Sequence, residues 1–427
     1  MAPRLRLRFR LHGPARAVFL AALAALSACA GRAGPDGAPA APSAPRSGAV
    51  LLVSIDGFRA DYLDRGITPN LARIGAEGIR AEGLRPSFPT KTFPNHYSIV
   101  TGLVPDHHGI IANNIWDPER EASFGLSNRE AVGDARWWGG EPVWVTAERA
   151  GLRTAPLFWP GSEAPIGGIR PTYWMPYDGS MTARARIDWL LDRIDRPAPD
   201  GAAFATLYFD DIDGAAHRFG PDAVETDSAI ARVDGWIGLL LGELAARGLA
   251  DRVDLVVVSD HGMSPTSRDR VILLDDYVDL SRLRVSDWNP LAALWPSPGE
   301  EEAVYQALKG AHPHLRVWKP DEVPARLAYG TNPRVAPVLA LADPGWSITT
   351  RARYEEAPAR FDGGNHGYDN GAEDMLGLFV ARGPDLRAGV RLPVVRNVDL
   401  YPLLMALMGL PPRDTDADPD ALRPILR

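Results

Sequence analysis

The sequence predicts an α/β fold built on a mostly parallel central sheet. Three predominantly apolar runs, 49–55, 202–209 and 253–259, lack the alternation of half-exposed strands and suit strands buried on both faces. Helix-patterned stretches separate the runs, as crossovers between parallel strands require. Each run also stops at acid: Asp56, the cluster Asp210-Asp211-Ile212-Asp213, and Asp260. In open α/β sheets ligands gather at the carboxyl ends of the strands, so these acids mark one end of the sheet as the place for a site.

The elements follow in order. After the first strand, Pro69 and Asn70 open a helix that closes near Gly78. A loop rich in turn formers, 85–89, leads into Pro89-Thr90-Lys91-Thr92-Phe93-Pro94-Asn95-His96-Tyr97, with a helix expected to begin at Tyr97. Residues 109–114 read as an apolar strand ending in the amides Asn113 and Asn114. Helices are expected over 141–150, 180–194 and 222–246, and a strand over 154–159. The proline-punctuated stretch 262–362 reads as an insertion, packed on the main body with a small sheet of its own. A strand over 375–381 and a helix over 397–408 complete the chain.

A length of 427 residues with 45% hydrophobic and 23% charged content fits one large α/β unit with insertions or two lobes. A net charge of −8 argues against a nucleic-acid-binding surface. The N-terminus reads as an export signal: arginines at 4, 6, 8, 10 and 16, a short apolar stretch 17–25, and Leu26-Ser27-Ala28-Cys29. The apolar run is too short to span a bilayer. The tetrapeptide resembles a bacterial lipobox, which would make Cys29, the chain's single cysteine, a lipid anchor on the periplasmic face of a membrane, the outer one by analogy; a soluble periplasmic protein is the other outcome. The domain reading is thus a signal over 1–28, a flexible Gly/Ala/Pro-rich tether over 29–48, and a catalytic body over 49–427.

Thr92 is where the chemistry concentrates. A hydroxyl at a helix N-terminus sits among unpaired N–H groups, a seat for an anion, although taken alone the residue reads first as a plain helix cap. Three further patterns accompany it. Asp213 and His217, four apart, face the same way on a helical turn; Asp260-His261 is a vicinal pair at a strand end; and the glycines around His366 let the backbone fold closely about an imidazole. Each alone reads as a solvated turn. His96, His107 and His108 crowd one loop and read as structural hydrogen bonders, and His312 and His314 as surface residues of the insertion.

Together, Asp56, the nonapeptide 89–97, Gly109-Ile110-Ile111, Asp213 with His217, Asp260-His261-Gly262-Met263 and His366-Gly367-Tyr368-Asp369 resemble the nucleotide pyrophosphatase/phosphodiesterase family of the alkaline phosphatase superfamily. The resemblance runs in order over about 49–410. It implies an alkaline-phosphatase-like three-layer αβα sandwich and two zinc ions, one held by Asp213, His217 and His366, the other by Asp56, Asp260 and His261 with the Thr92 oxygen. Mixed carboxylate and imidazole ligands suit zinc, which lowers the pKa of a bound hydroxyl and so activates an otherwise weak threonine nucleophile. Asn113 would donate its amide to a phosphate oxygen, its other reading being a turn residue. Phe93 and Tyr208 would sandwich a nucleobase, and otherwise fill the core. Trp159, Tyr173, Trp174 and Tyr177 are left as core.

The implied reaction is hydrolysis of nucleotide phosphodiester or pyrophosphate bonds through a phosphothreonine, releasing a nucleoside 5'-monophosphate. Threonine-dependent monoesterases of the superfamily add a Lys-x-Arg pair, which none of Lys91, Lys309 and Lys319 begins, so a diester is favoured over a phosphomonoester. A tethered phospholipid or glycerophosphodiester hydrolase is the second reading, and a non-catalytic surface lipoprotein the third.

Overall fold

A computed structural model describes residues 48–427. The expectations for the signal, for Cys29 and for almost all of the tether lie outside the described residues. Among those residues no helix is long and apolar enough to cross a membrane.

The main sheet takes its strands from widely separated parts of the described chain, from Ala49 to Leu392. They are β1 (Ala49–Ile55), β2 (Ile79–Ala81), β3 (Arg153–Pro156), β4 (Ala202–Phe209) and β5 (Val253–Val258). The inserted segment adds β6 (Leu283–Asp287), β7 (Leu291–Pro296), β8 (Leu315–Trp318) and β9 (Val338–Ala342). β10 (Phe379–Arg382) and β11 (Val390–Leu392) then return to the main sheet. Its order is β11-β2-β10-β5-β1-β4-β3, and β10 alone runs against the rest.

Alternation along β1 shows why the strands had to be apolar throughout. Val50 and Leu52 enter one buried cluster, while Leu51, Val53 and Ile55 enter another on the opposite face. Helices α1 (Pro69–Glu77), α4 (Ala183–Ile194) and α6 (Val224–Ala246) cover the second face. Helices α2 (Thr92–Thr101), α3 (Val143–Arg149) and α7 (Leu400–Leu407) cover the first. The result is the three-layer αβα sandwich, with α5 (Asp211–Phe219) following β4.

The inserted strands form an antiparallel sheet, β6-β7-β9-β8, with a buried cluster of its own. Its other face joins the main core through Leu291, Leu339 and Leu341.

Several boundaries differ from the sequence reading. The helix expected from Tyr97 begins at Thr92, because Pro94 falls in its first turn, where a missing N–H breaks no helical bond. Residues 109–113 form no strand: Gly109 takes φ +81°, and the Ile110 N–H donates to His108 Nδ1 at 3.2 Å instead of to a ladder. A strand, Asn114–Asp117, starts only after them. Met375 lies in a short 3-10 turn, and β10 begins at Phe379.

Candidate active site

Parallel pairing of β1 with both β4 and β5 places three chain ends side by side. Asp56 directly follows β1, Asp260 follows β5, and Asp213 stands in the first turn of α5 rather than in a strand-end loop. Gly57 turns the chain away at φ +68°, and its N–H donates to Asp260 Oδ1 at 3.3 Å. A Cβ there would lie 3.0 Å from the Asp213 backbone, so only glycine fits this approach.

His217 sits one turn along α5 from Asp213, with its Nε2 3.4 Å from Asp213 Oδ1. His366 arrives from the ribbon Gly363–Asn365, paired to Ser264–Thr266, and its Nε2 lies 3.7 Å from the same oxygen. Gly363 permits this closeness, since a Cβ there would stand 2.2 Å from the His217 carbonyl. His261 Nε2 is 3.4 Å from Asp56 Oδ1 and 3.0 Å from Asp260 Oδ2. Its ring stacks on that of His366 at 3.5 Å, so the two groups of donors adjoin. The Thr92 hydroxyl is 3.4 Å from His261 Nε2. The fold thus brings together Thr92, Asp56, Asp213, His217, Asp260, His261 and His366.

These residues fit bound cations on two grounds. First, Asp56 Oδ1, Asp213 Oδ1 and Asp260 Oδ2 are buried and have no hydrogen-bond partner. Burial, with Asp260 and Asp213 close by, pushes the Asp56 carboxyl well above the usual range, which is the cost of gathering carboxylates without a positive charge. Second, the three histidines share one tautomer. His217, His261 and His366 each direct Nδ1 at a carbonyl, of Gly364, Gly262 and Thr90, at 2.8, 2.9 and 2.8 Å. A carbonyl only accepts, so Nδ1 carries the proton and the Nε2 lone pair is left for a metal. Burial, with His261 and His217 adding to it, pushes His366 well below the usual histidine range and keeps it neutral. Ligands at 2.0–2.1 Å around one tetrahedral ion lie about 3.3 Å apart, close to the separations seen.

His96 is different. Its Nδ1 faces the Thr92 carbonyl at 2.8 Å and its Nε2 meets the Ser54 hydroxyl at 2.8 Å, so it braces the site from behind. His108, fully buried, bonds Ser98 and the Pro94 carbonyl, while His107 pairs with Asp416. His312 and His314 are half-buried against Trp346 rather than on the open surface.

A cleft of about 320 Å³ opens beside Thr92, Asp56 and Asp213. Phe93 and Tyr208 line it, as do Phe158 and Tyr177. Tyr177 was expected in the core but is 39% exposed and donates its hydroxyl to Asp210 at 2.9 Å. The sequence reading missed Arg129 and Glu163, an ion pair in the cleft wall, because they are far apart in the chain and in no motif. Asn113 Oδ1 accepts the Phe93 N–H at 2.9 Å, caps an orphan donor of α2 and leaves its Nδ2 amide as a donor.

Known proteins resemble this chain in sequence and in fold. The profile of the family described as type I phosphodiesterase / nucleotide pyrophosphatase matches residues 50–369. The chain is 38% identical over 361 residues to ectonucleotide pyrophosphatase/phosphodiesterase family member 5 of Homo sapiens, covering 84% of this chain and 74% of that protein. It is 36% identical over 363 residues to bis(5'-adenosyl)-triphosphatase enpp4 of Xenopus laevis, covering 84% and 78%. Among solved structures, murine ectonucleotide pyrophosphatase/phosphodiesterase 5, an inactive threonine-to-alanine form in complex with AMP, superposes with a TM-score of 0.85 at 37% identity, covering 89% of this chain and 100% of that one. These relatives are eukaryotic, so the bacterial, lipid-anchored setting rests on the N-terminal segment alone.

Proposed function

The chain belongs to the type I phosphodiesterase / nucleotide pyrophosphatase family of the alkaline phosphatase superfamily, and we propose that it hydrolyses nucleotide phosphodiester and pyrophosphate bonds through Thr92, releasing a nucleoside 5'-monophosphate. The observation that carries this is the placement of the Thr92 hydroxyl. It stands at the first residue of a helix, 3.4 Å from His261 Nε2, where the acid cluster meets an aromatic cleft.

Two zinc ions, held by Asp213, His217 and His366 and by Asp56, Asp260 and His261, would neutralise phosphate charge and lower the pKa of the Thr92 hydroxyl. The chain's own residues do the rest. Thr92 Oγ1 attacks phosphorus in line with the departing group, and the bond to that group breaks as the threonine ester forms. The Thr92 N–H, at the start of α2, and the Asn113 amide receive the charge on the phosphoryl oxygens. Water then cleaves the threonine ester. Phe93 and Tyr208 offer ring surface to the base, and stacking accepts any base because each has a π-face. Lys91 is bound to Asp287 at 2.5 Å, so it brings no free charge for a monoester dianion. Diesters remain favoured on that ground.

The test is turnover of a p-nitrophenyl nucleotide ester, lost with chelator and restored by zinc. Thr92→Ala should fall to background; retained turnover refutes the nucleophile. A substrate panel in which lipid diesters outcompete nucleotides would refute the base-binding reading of the cleft.

A further inference from the structure

One buried charge pair beside the nucleophile has no part in this chemistry. The side chains of Lys91 and Asp287 are 5% and 8% exposed, and Nζ meets Oδ2 at 2.5 Å. Burying two charges is costly, and an apolar pair of similar volume usually holds a core as well. Its neighbours suggest why charges stand here. Lys91 is the N-cap residue of α2 and directly precedes Thr92; its Nζ also donates to the Asn289 carbonyl at 3.1 Å. The second oxygen of Asp287, Oδ1, accepts from Asn114 Nδ2 at 3.2 Å, and Asn114 directly follows Asn113. One carboxylate from the inserted sheet therefore grips the residue before the nucleophile and the residue after the amide donor. Asp287 reaches both from an irregularity in β6. The register against β7 jumps from Val285 opposite Leu294 to Asp287 opposite Ala293, leaving Ser286 unpaired. Bulges of this kind re-aim side chains, and they concentrate near active sites.

We propose that Asp287 is a positioning residue, and that through Lys91 and Asn114 it sets the separation between the Thr92 hydroxyl and the Asn113 amide. On the cleft side the two segments are joined by the bond from the Phe93 N–H, next to Thr92, to Asn113 Oδ1 at 2.9 Å. A single hydrogen bond acts as a pivot. The Asp287 tie on the other side turns the pivot into a fixed span. An in-line displacement needs such a span, because a misplacement of about 1 Å costs on the order of 100-fold in rate. The inserted segment is then part of the catalytic apparatus, although none of its strands touches the cleft.

The proposal rests on Thr92 and Asn113 acting as described above, and the experiment separates the two. kcat and KM on a p-nitrophenyl nucleotide ester, together with thermal midpoints, are measured for Thr92→Ala, Asn114→Ala and the double variant Lys91→Met/Asp287→Leu. The double variant fills the same space without charge. Asn114 is exposed, so its loss should leave the thermal midpoint unchanged. Expected is a fall in kcat of roughly 10-fold for Asn114→Ala and about 10- to 100-fold for the double variant, with KM within about twofold of the parent. Parental kcat in both, with Thr92→Ala inactive, overturns the clamp and leaves the reaction standing. A kcat loss seen only where the thermal midpoint falls also overturns it, since the pair would then serve stability alone. Turnover by Thr92→Ala removes the reaction and the clamp together.

Discussion

The hydroxyl of Tyr208 donates to Asp56 Oδ2 at 2.6 Å while its ring lines the cleft beside Thr92. Burial and the neighbouring Asp56 push this phenol well above its usual range, so it stays protonated and remains a donor. One side chain thus touches both the acid cluster and the cleft, and two substitutions separate these contacts. Tyr208→Phe keeps the ring and removes only the bond that orients Asp56. Partners that orient a metal ligand are worth about 10- to 100-fold in metal affinity, so zinc titration of the stripped variant should show a loss in that range, with KM near the parent value. Phe93→Ala should do the reverse, raising KM with zinc affinity unchanged. Equal zinc affinity in Tyr208→Phe and its parent would refute the orienting role. The ring of Tyr208 was expected at a site through the family resemblance alone, core filling being the other reading, and it lines the cleft. Its hydroxyl partner was not legible in the sequence, because Asp56 lies 152 residues away. Tyr177 was misread for a related reason: aromatic character signals burial by default, and only the fold shows that this ring stands at a cleft wall.

Local pattern identified elements best where a buried strand must be apolar on both faces, as in β1, β4 and β5. It failed where one breaker residue has two meanings, as with Pro94 inside the first turn of α2. It failed again where apolar residues are buried without a ladder, as at Ile110 and Ile111, both in the core cluster. The loop from α2 to Asn113 is instead organised around His108. Its Nδ1 accepts the Ile110 N–H, while its Nε2 meets the Pro94 carbonyl and the Ser98 hydroxyl. Nε2 therefore carries the proton, and the ring is held neutral. Burial pushes its pKa down to about 3. An unfolded histidine near 6.5 takes up a proton that the folded one refuses between those values. Stability is then fully present above pH 6.5 and falls as the pH drops below it. The loss attributable to His108 between pH 7 and pH 5 is about 2 kcal/mol by this linkage. Urea unfolding at pH 7, 6 and 5 should show a shallower acid loss in His108→Gln by about that amount. The same pH slope in both proteins would remove His108 as its source.

At the scale of the molecule, sequence order and spatial order part company. The acids are read off as strand-end residues, but their meeting depends on β4, β1 and β5 being parallel neighbours, which no local pattern states. The insertion was expected to carry a small sheet of its own, and it does, but the antiparallel order of that sheet, built from short strands apart in sequence, is likewise stated by no local pattern. Once the strands are paired, the sheet forces Asp56, Asp213 and Asp260 to one edge, where each leaves a buried oxygen without a hydrogen-bond partner. Without cations this end of the sheet is a site of mutual repulsion, and bound cations would make it a cross-link between strands far apart in sequence. Metal should therefore act on the stability of the whole fold as well as on turnover. A ligand bound only by the native state stabilises it by about 4 kcal/mol at a thousandfold excess over Kd. Zinc added to the stripped protein should raise the thermal midpoint in a concentration-dependent way. Asp56→Asn removes one of the crowded charges, so the stripped variant should melt at or above the stripped parent. The same change removes a ligand, so most of the zinc-induced rise should disappear. Scanning calorimetry with and without zinc on both proteins decides the matter: a parent that gains nothing from zinc, or a variant that gains as much as the parent, would show that the converging carboxylates are not the metal site.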